Sequence, residues 1–348
     1  MKISDFFGID LPLIQAPMAG VQGSALAIAV SNAGGLGSLP CAMLSADSIR
    51  SELQVIRAGT SQPYNVNFFC HTPPEVDPER EKIWRQALMP YYEELGIDPL
   101  NTIAGAQRTP FTSHLADILE EFRPPVVSFH FGLPAPDLLR RVKAWGSKVV
   151  SSATTVDEAV WLEMHGADAI IAQGLEAGGH RGMFLSDDLT TQIGTFALLP
   201  QIIRRVQVPV VAAGGIANAA GVGAAMALGA SGVQIGTAYL LAQEATTSAV
   251  HCEALKSTSA MHTALTNLFS GRPARGIVNR VMRELGPMST KAPAFPLATA
   301  AVAPLRMKAE AAGSGAFSPL WAGQNASGCL QAPAAQITKA LAQGFKPY

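Results

Sequence analysis

A histidine inside a glycine-rich segment is the clearest candidate for catalysis in this sequence. Gly178 and Gly179 directly precede His180, and Gly182 follows it two residues later. Glycine lets the backbone approach a flat ligand closely because it carries no side chain. An imidazole with an ordinary pKa of ~6.5 can remove a proton near neutral pH. We therefore expect His180 to act as a general base beside a planar ligand.

Two glycine turns could bind a phosphate group. Gly214 and Gly215 follow one apolar run, and Gly236 and Thr237 follow the next. Turns of this kind expose backbone N–H groups, which bind phosphate together with the positive end of a helix dipole. A single Gly-Gly pair more often makes only a tight turn, but two such turns after consecutive runs favour a phosphate site.

The other histidines are weaker candidates for a catalytic role. His71 and His130 could also face a pocket, and the sequence leaves their roles open. His165 ends a predicted helix, where a cation interacts favourably with the helix dipole. The remaining histidines lie in polar helical or loop surroundings and are predicted to be solvated: His114, His251 and His262.

The pattern of potential ligands and motifs predicts no metal site. Glu176 and His180 are four residues apart, but the glycines between them prevent a regular helical pair of ligands. Asp187 and Asp188 are more typical of a loop or a helix cap.

The serine-hydrolase motif G-x-S-x-G and the dinucleotide motif G-x-G-x-x-G are both absent from the sequence. A serine nucleophile and a Rossmann dinucleotide site are therefore not expected.

The composition predicts a folded chain without a basic surface. Of the 348 residues, 48% are hydrophobic and 15% are charged, and the formal net charge is −1. A chain this apolar can bury a large core, whereas disordered chains are charged and poor in apolar residues. No basic cluster exists to attract a phosphate backbone, so we expect no nucleic-acid partner.

Several features together predict a cytoplasmic location. No apolar run develops before Asp10, so a signal peptide is not expected. The uncharged stretches 11–46 and 219–243 are interrupted by glycines, prolines and polar residues, unlike membrane helices. The four cysteines are far apart in the sequence and are predicted to be reduced thiols: Cys41, Cys70, Cys252 and Cys329.

The residues that could do chemistry must be positioned by a repeated structural unit. Eight short apolar runs, separated by room for helices, indicate βα units at 11–17, 35–39, 64–69, 126–131, 148–152, 169–172, 208–212 and 232–235. The helices predicted between them are 24–33, 45–59, 136–145, 155–165, 194–205 and 218–228. This pattern favours a (β/α)8 TIM barrel, although an open doubly wound sheet has a similar pattern of strands.

Two regions interrupt the repeat. An insertion at about 71–125 contains a helical stretch at 78–95, and everything after residue 241 lies outside the eight units. We expect 1–241 to form the barrel and 242–348 to form a helical cap and C-terminal extension, with helices around 249–269 and at 334–342. Trp321 indicates that the cap docks on the barrel. The sequence does not predict an oligomeric state.

The ends of the predicted strands carry the polar residues and glycines. In a TIM barrel the active site lies at the carboxyl ends of the strands. Pro17 and Met18 follow the first strand. Asn67 lies near the end of the third strand, and Gln173 follows the sixth. Together with His180 and the two glycine turns, these residues are expected at one mouth of the barrel.

An ordered series of motifs resembles the nitronate monooxygenase family, formerly called the 2-nitropropane dioxygenases. Each motif alone is weak, but the set is specific, and the resemblance covers residues from about 5 to 330. The motifs are PLIQAPMAG at 12–20, GGLG at 34–37, NVNFF at 65–69, QGLEAGGHRG at 173–182, AAGGIA at 212–217, GVQIGTA at 232–238, GRPAR at 271–275, NR at 279–280 and PLWAGQ at 319–324.

The resemblance implies an FMN-dependent barrel enzyme that oxidises alkyl nitronates with O2 to a carbonyl compound and nitrite. His180 is then the base that removes an α proton from a neutral nitroalkane, or it steadies the anionic nitro group of a nitronate. The Pro17 and Met18 backbone faces the isoalloxazine, and Asn67 and Gln173 hydrogen-bond flavin or ribityl atoms. The implied cofactor-binding residues are Pro17, Met18, Asn67, Gln173, Gly178, Gly179, Gly214, Gly215, Gln234, Ile235, Gly236 and Thr237.

Two other readings of the sequence stay open. A flavin-dependent enoyl-acyl-carrier-protein reductase, or an NAD(P)H:quinone reductase on the same barrel, shares the Gln-Ala-Pro-Met opening and the Ala-Gly-Gly-His segment. Arg181 and the segment 321–324 favour nitronate oxidation over these reactions. A flavin- or phosphate-binding protein without catalysis has little support, because it needs no imidazole beside the ring. Propionate 3-nitronate and simple alkyl nitronates are equally possible substrates.

Overall fold

Eight parallel strands form a closed barrel in the computed structural model, which describes residues 3–98 and 108–345. The barrel order is β1-β9-β8-β6-β5-β4-β3-β2. A parallel bridge between Ile14 and Leu36 joins the two end strands and closes the sheet. The strands of the chain are β1 Leu13–Gln15, β2 Gly37–Pro40, β3 Tyr64–Phe69, β4 Val126–His130, β5 Lys148–Ala153, β6 Ala169–Gln173, β7 Gly179–His180, β8 Val210–Ala213, β9 Gly232–Ile235, β10 Thr263–Thr266 and β11 Ala274–Ile277.

The predicted barrel is confirmed, and the open doubly wound sheet is not found. Helices surround the strands and begin where capping residues predict. The side chain of Thr155 accepts a hydrogen bond from Glu158 N, and that of Asn218 accepts one from Gly221 N. The α-helices are α1 Ile3–Phe7, α2 Ser24–Asn32, α3 Ala46–Gly59, α4 Pro78–Leu95, α5 Ser113–Phe122, α6 Pro136–Ala144, α7 Val156–Met164, α8 Thr195–Ile203, α9 Ala219–Ala227, α10 Ala249–Lys256, α11 Arg280–Leu285, α12 Ala298–Ala311 and α13 Ala334–Ala342.

The inside of the barrel is apolar at one end and polar towards the other. Ile3 and Phe7 of α1 pack with Ile14 in an apolar cluster that closes the amino ends of the strands. Higher in the barrel, Asn67 Nδ2 donates to Ser128 Oγ over 2.9 Å. Burial of such polar groups requires partners. The polar layer therefore lies beneath the mouth where the predicted site residues meet.

Part of the region after residue 241 differs from the predicted helical cap. Residues 249–269 were expected to be helical, but the helix ends at Lys256, and Thr263–Thr266 is the strand β10. This strand pairs antiparallel with β11, which in turn pairs with β7. The β-branched threonines suit a strand, and the partner in the cap supplies the hydrogen bonds that decide its conformation. The small sheet joins the cap directly to the strand that carries His180.

The last helix belongs to the outer layer of the barrel. Ile337 and Leu341 of α13 are buried in the same cluster as Leu26 of α2 and Val222 of α9. Cap helix α12 instead packs on α4 of the insertion, where Trp84 is buried with Leu305. The insertion and the middle of the C-terminal region therefore cover the barrel mouth together. None of the helices in the described ranges is long and apolar enough to cross a membrane.

Candidate functional site

A cavity lies at the carboxyl ends of the barrel strands, between the barrel and the cap. The structure brings twelve of the thirteen predicted site residues to its wall. Ile235 is the exception, because its side chain is buried in the barrel core. The predicted residues that line the cavity are Pro17, Met18, Asn67, Gln173, Gly178, Gly179, His180, Gly214, Gly215, Gln234, Gly236 and Thr237.

The two glycine turns form one side of this cavity. Gly214 and Gly215 have φ values of +113° and +74°, which side chains rarely adopt. The backbone N–H groups of Gly215, Gly236 and Thr237 donate to no other residue in the part of the chain that the structure describes. These N–H groups are therefore available to an anionic ligand such as a phosphate.

A segment of the cap closes over the glycine turns. Gly323 N donates to Thr237 Oγ1 over 2.9 Å, and Asn325 Nδ2 donates to the carbonyl oxygen of Gly215 over 3.0 Å. A Cβ atom on Gly178 would lie only 2.5 Å from Gly323 N. Gly178 is thus required for close passage of the cap segment, and Asn325 is a lining residue that sequence reasoning missed.

Unsatisfied polar atoms also fit a bound planar ligand. Gln234 lines the cavity, and its Oε1 atom is buried without a hydrogen-bond partner among the described residues. A buried acceptor in this state is costly unless a ligand or water donates to it. We call the free N–H groups of Gly215, Gly236 and Thr237 the glycine cradle. The open glycine cradle and the Gln234 acceptor together suit a flat group with an anionic tail, such as a flavin nucleotide.

His180 is held in the cavity by contacts on both its ring and its backbone. Its Nε2 atom lies 2.8 Å from Ser270 Oγ. Its carbonyl oxygen accepts hydrogen bonds from Gln173 Nε2 over 3.0 Å and from His130 Nε2 over 3.2 Å. Gln173 Oε1 also accepts from Gly182 N over 2.7 Å. The Gln173 amide therefore binds the loop that carries His180, in addition to its predicted contact with the cofactor.

The imidazoles around the cavity are neutral because they are buried. Burial, reinforced by the charge of Arg108, lowers the pKa of His180 well below its usual value. Burial also lowers the pKa of His130 to about 4 and that of His71 to about 4. A neutral imidazole retains a lone pair that can accept a proton. The histidine predicted as the base is therefore in the protonation state that a base needs.

Aromatic rings surround His180 on several sides. The His180 ring centre lies 5.3 Å from that of Phe295 and 5.6 Å from that of Trp321. Phe131 and Phe69 follow at 6.1 Å and 6.3 Å. These rings shield the half-buried imidazole from solvent on several sides, which strengthens its interactions with charged groups. Trp321, predicted only to dock the cap, also lines the cavity.

The prediction that His251 is solvated is wrong. His251 is only 3% exposed and lines the cavity. It lies four residues before Leu255 on α10, and both side chains are buried on the face that the helix turns towards the molecule. This i, i+4 spacing was the signal in the sequence that could have indicated burial. Burial lowers its pKa to about 4.

Arg181, which favours nitronate oxidation as a feature of the sequence, has a structural position. Its side chain is 0% exposed and does not line the cavity. The guanidinium donates to the carbonyl oxygens of Gly174 and Gln173 over 2.6 Å and 2.7 Å, and to Gln192 Oε1 over 3.0 Å. These bonds tie the end of β6 to the segment after His180.

Replacement of Arg181 should destabilise the fold more than it changes substrate preference. In an Arg181→Met variant, three buried acceptors lose a charged donor, and we expect a loss of about 3 kcal/mol in the free energy of unfolding. Urea denaturation measures this loss. Arg141→Met is the matched control, because Arg141 is paired with Asp117 and Glu120 at the surface. Equal destabilisation of the two variants would contradict the structural role.

Two further residues near His180 were missed by sequence reasoning. Arg108 comes from the insertion and lines the cavity, and Ser270 comes from the cap. Neither lies at the end of a barrel strand, so the rule that active-site residues follow the barrel strands does not predict them. Only the packing of the insertion and the cap on the barrel brings them to the site.

The sequence and the structure match known proteins over nearly the whole chain. The family described as nitronate monooxygenase matches residues 1–344. A nitronate monooxygenase from Pseudomonas aeruginosa is 43% identical over 99% of this chain and 99% of its own length. The solved structure of nitroalkane oxidase from Streptomyces ansochromogenes superposes with a TM-score of 0.87 at 37% identity, covering 98% of this chain and 96% of that one. FabK from Thermotoga maritima is less similar, with a TM-score of 0.75 at 29% identity, covering 99% and 95%.

Proposed function

Since the chain belongs to the nitronate monooxygenase family, whose members are flavin-dependent, we propose that it binds FMN and oxidises alkyl nitronates with O2. The products of this reaction are a carbonyl compound and nitrite. The observation that carries the proposal is the position of His180, a half-buried imidazole that desolvation keeps neutral, in the same cavity as the open glycine cradle. When bound, FMN would supply the electron transfer between substrate and O2 that the protein's own side chains do not provide.

The glycine cradle supports FMN as the cofactor. Gly215, Gly236 and Thr237 offer N–H groups to a phosphate at the ends of β8 and β9, where TIM barrels commonly bind one. Pro17 and Met18, on the neighbouring strand end, would then lie along the ring system. Gln234 Oε1 would accept a hydrogen bond from the cofactor.

The charge distribution of the cavity supports an anionic substrate. Among the described lining residues, Glu176 is the only carboxylate. It lies at the cradle side, where its oxygens accept hydrogen bonds from Thr195 N over 3.0 Å and 2.8 Å. Arg108 lies at the side of His180 and carries a positive charge. A nitronate at His180 would therefore meet positive potential, without a carboxylate to repel it.

His180 would serve neutral nitroalkanes and nitronates differently. A nitroalkane needs a base that removes its α proton, and His180 can accept that proton. A nitronate arrives without the proton and needs no base, so the imidazole only borders it and orients it in the cavity. The surrounding rings of Phe69, Phe131, Phe295 and Trp321 keep water away from the transferred proton.

Ser270 would select which ring nitrogen acts as the base. Its hydroxyl lies 3.3 Å from the carbonyl oxygen of Arg272, to which it can donate, and it is 1% exposed. A hydroxyl that donates there accepts from His180 Nε2–H, which leaves Nδ1 as the basic nitrogen. The cap thereby fixes the tautomer of a residue on the barrel.

Removal of the Ser270 hydroxyl should affect proton abstraction selectively. For Ser270→Ala we expect kcat/KM to fall about 10-fold with a nitroalkane and less than about 3-fold with the corresponding nitronate. The protonated imidazole loses an acceptor, so the acid limb of the nitroalkane pH profile should move to lower pH. Ser270→Thr retains the hydroxyl and should restore both quantities. Equal losses on both substrates, with an unmoved limb, would contradict this role.

Steady-state turnover tests the proposed function. With butyl-1-nitronate in air, the protein should consume O2 and form nitrite and the aldehyde without any nicotinamide cofactor. Protein stripped of flavin is the control and should form none. If NADH is consumed with an enoyl thioester or a quinone, and nitronates give no nitrite, the reductase alternative replaces the proposal.

A further inference from the structure

A segment of the cap, residues 322–329, is bonded to both turns of the glycine cradle, and we call it the strap. Gly323 N donates to Thr237 Oγ1 over 2.9 Å, in the turn after β9. Asn325 Nδ2 donates to the carbonyl oxygen of Gly215 over 3.0 Å, in the turn after β8. Both strap residues also line the cavity. The strap therefore ties together two turns that the barrel places on separate loops.

The strap lies directly on the ends of the barrel strands. A Cβ atom on Gly328 would overlap the carbonyl oxygen of Ala217, and one on Gly323 would lie 2.8 Å from the carbonyl oxygen of Glu176. Gln324 N donates to this Glu176 oxygen over 2.9 Å. Glycine permits such a close approach because it carries no side chain. The wall that the strap adds to the cavity is therefore in direct contact with the barrel.

The bond from Gly323 determines what the Thr237 hydroxyl can do. A hydroxyl oxygen that accepts from a backbone N–H keeps its own hydrogen for another acceptor. None of the described residues supplies that acceptor for Thr237. The N–H groups of Gly215, Gly236 and Thr237 are free as well. One hydroxyl and three N–H groups are therefore available to a single anionic group.

Asn325 restrains the more flexible of the two turns. This turn contains Gly214 and Gly215, and glycine loses more conformational freedom than any other residue when it is ordered. The amide of Asn325 is itself held, because its Oδ1 atom accepts from Ser327 N over 3.2 Å and from Ser327 Oγ over 2.6 Å. A turn that is fixed before the ligand arrives costs less free energy to order on binding.

We propose that the strap is a clamp for the cofactor phosphate, in which Gly323 and Asn325 are positioning residues. Gly323 acts through the Thr237 hydroxyl, and Asn325 acts through the Gly215 turn. This role rests on the proposed function, since it takes FMN as the ligand of the cradle. The affinity for the phosphate is then set in part by a segment outside the eight βα units. A flavin without a phosphate gains nothing from the clamp.

Binding of FMN and of riboflavin to the stripped protein tests the clamp. Riboflavin has the same ring and ribityl chain but no phosphate. In Asn325→Ala, we expect the Kd for FMN to rise about 10-fold and the Kd for riboflavin to change less than about 2-fold. The rate of FMN dissociation should rise with the Kd, because such changes act mostly on koff. Quenching of flavin fluorescence measures both quantities, and circular dichroism establishes that each variant is folded.

A second pair of variants tests the part of the clamp that acts through Thr237. The N–H group of Gly323 belongs to the backbone, so its partner is changed instead. Thr237→Val removes the hydroxyl and should raise the Kd for FMN about 10-fold, again with less than about 2-fold change for riboflavin. Thr237→Ser retains the hydroxyl and should restore the affinity for FMN.

Asn32→Ala is the matched control for Asn325→Ala. Asn32 Nδ2 also donates to a glycine carbonyl oxygen, that of Gly59, over 3.1 Å, but Asn32 does not line the cavity. Neither Kd should respond to this change. If Asn325→Ala leaves the Kd for FMN unchanged, or raises both constants equally, the clamp is overturned. It is also overturned if the wild-type protein binds riboflavin as tightly as FMN. If the wild-type protein binds neither flavin, the proposed function itself fails.

Discussion

Replacement of His180 by asparagine should reduce kcat/KM for a neutral nitroalkane by about 100- to 10,000-fold, but by less than about 10-fold for the corresponding nitronate. Asparagine can still form a hydrogen bond in the space of the imidazole, but it cannot accept the α proton. The nitronate needs no such step because it enters already deprotonated. Nitrite formation from the two substrates measures the difference, and equal losses would show that His180 is not the base.

The pH profile gives a second readout of the same base. Burial and the charge of Arg108 lower the pKa of His180, so the imidazole remains neutral as the pH falls through 6.5. We therefore expect kcat/KM of the wild-type protein for a nitroalkane to stay level through pH 6.5 and to decline only in more acidic solution. A decline centred at the ordinary histidine value would place the base in a solvated environment and contradict the structure.

Introduction of a negative charge at the glycine cradle should impair FMN binding strongly. In Gly215→Asp, a carboxylate would stand beside the bound phosphate, and we expect the Kd for FMN to rise about 100-fold. The backbone at this position has φ of +74°, which Asp and Asn tolerate better than other residues. A Cβ atom there would meet nothing closer than Glu176 Cβ at 3.5 Å. The side chain itself is therefore accommodated.

Gly215→Asn separates the charge from the shape of the new side chain. Asparagine has the same size and backbone tolerance, so it should raise the Kd for FMN less than about 10-fold. Riboflavin, which has no phosphate, should bind the Asp and Asn variants equally well. Quenching of flavin fluorescence by the stripped protein measures all four constants. Equal effects of Asp and Asn on FMN would place the phosphate elsewhere.

The sequence predicted the barrel and its mouth because both depend on local signals. Each strand is a short apolar run, and each glycine turn follows such a run directly. The parallel order then brings the turns after β8 and β9 together at one end. The positions of Gly215, Thr237 and His180 follow from this rule, without knowledge of any side-chain contact.

The residues that the sequence did not predict depend on contacts between distant segments. Arg108 and Ser270 reach His180 only because the insertion and the cap fold over the barrel. Arg181 is a buried arginine that donates to three acceptors, and no local pattern in the sequence indicates such an arrangement. The strand at Thr263–Thr266 forms because β11 is available to pair with it.

The flavin spectrum under anaerobic conditions tests the central claim most directly. When the purified holoprotein is mixed with butyl-1-nitronate in the absence of O2 and of any nicotinamide, the visible absorbance of the oxidised flavin should be lost, and admission of air should restore it. NADH alone should leave the spectrum unchanged. A flavin that stays oxidised with the nitronate but bleaches with NADH would contradict nitronate oxidation and identify a reductase.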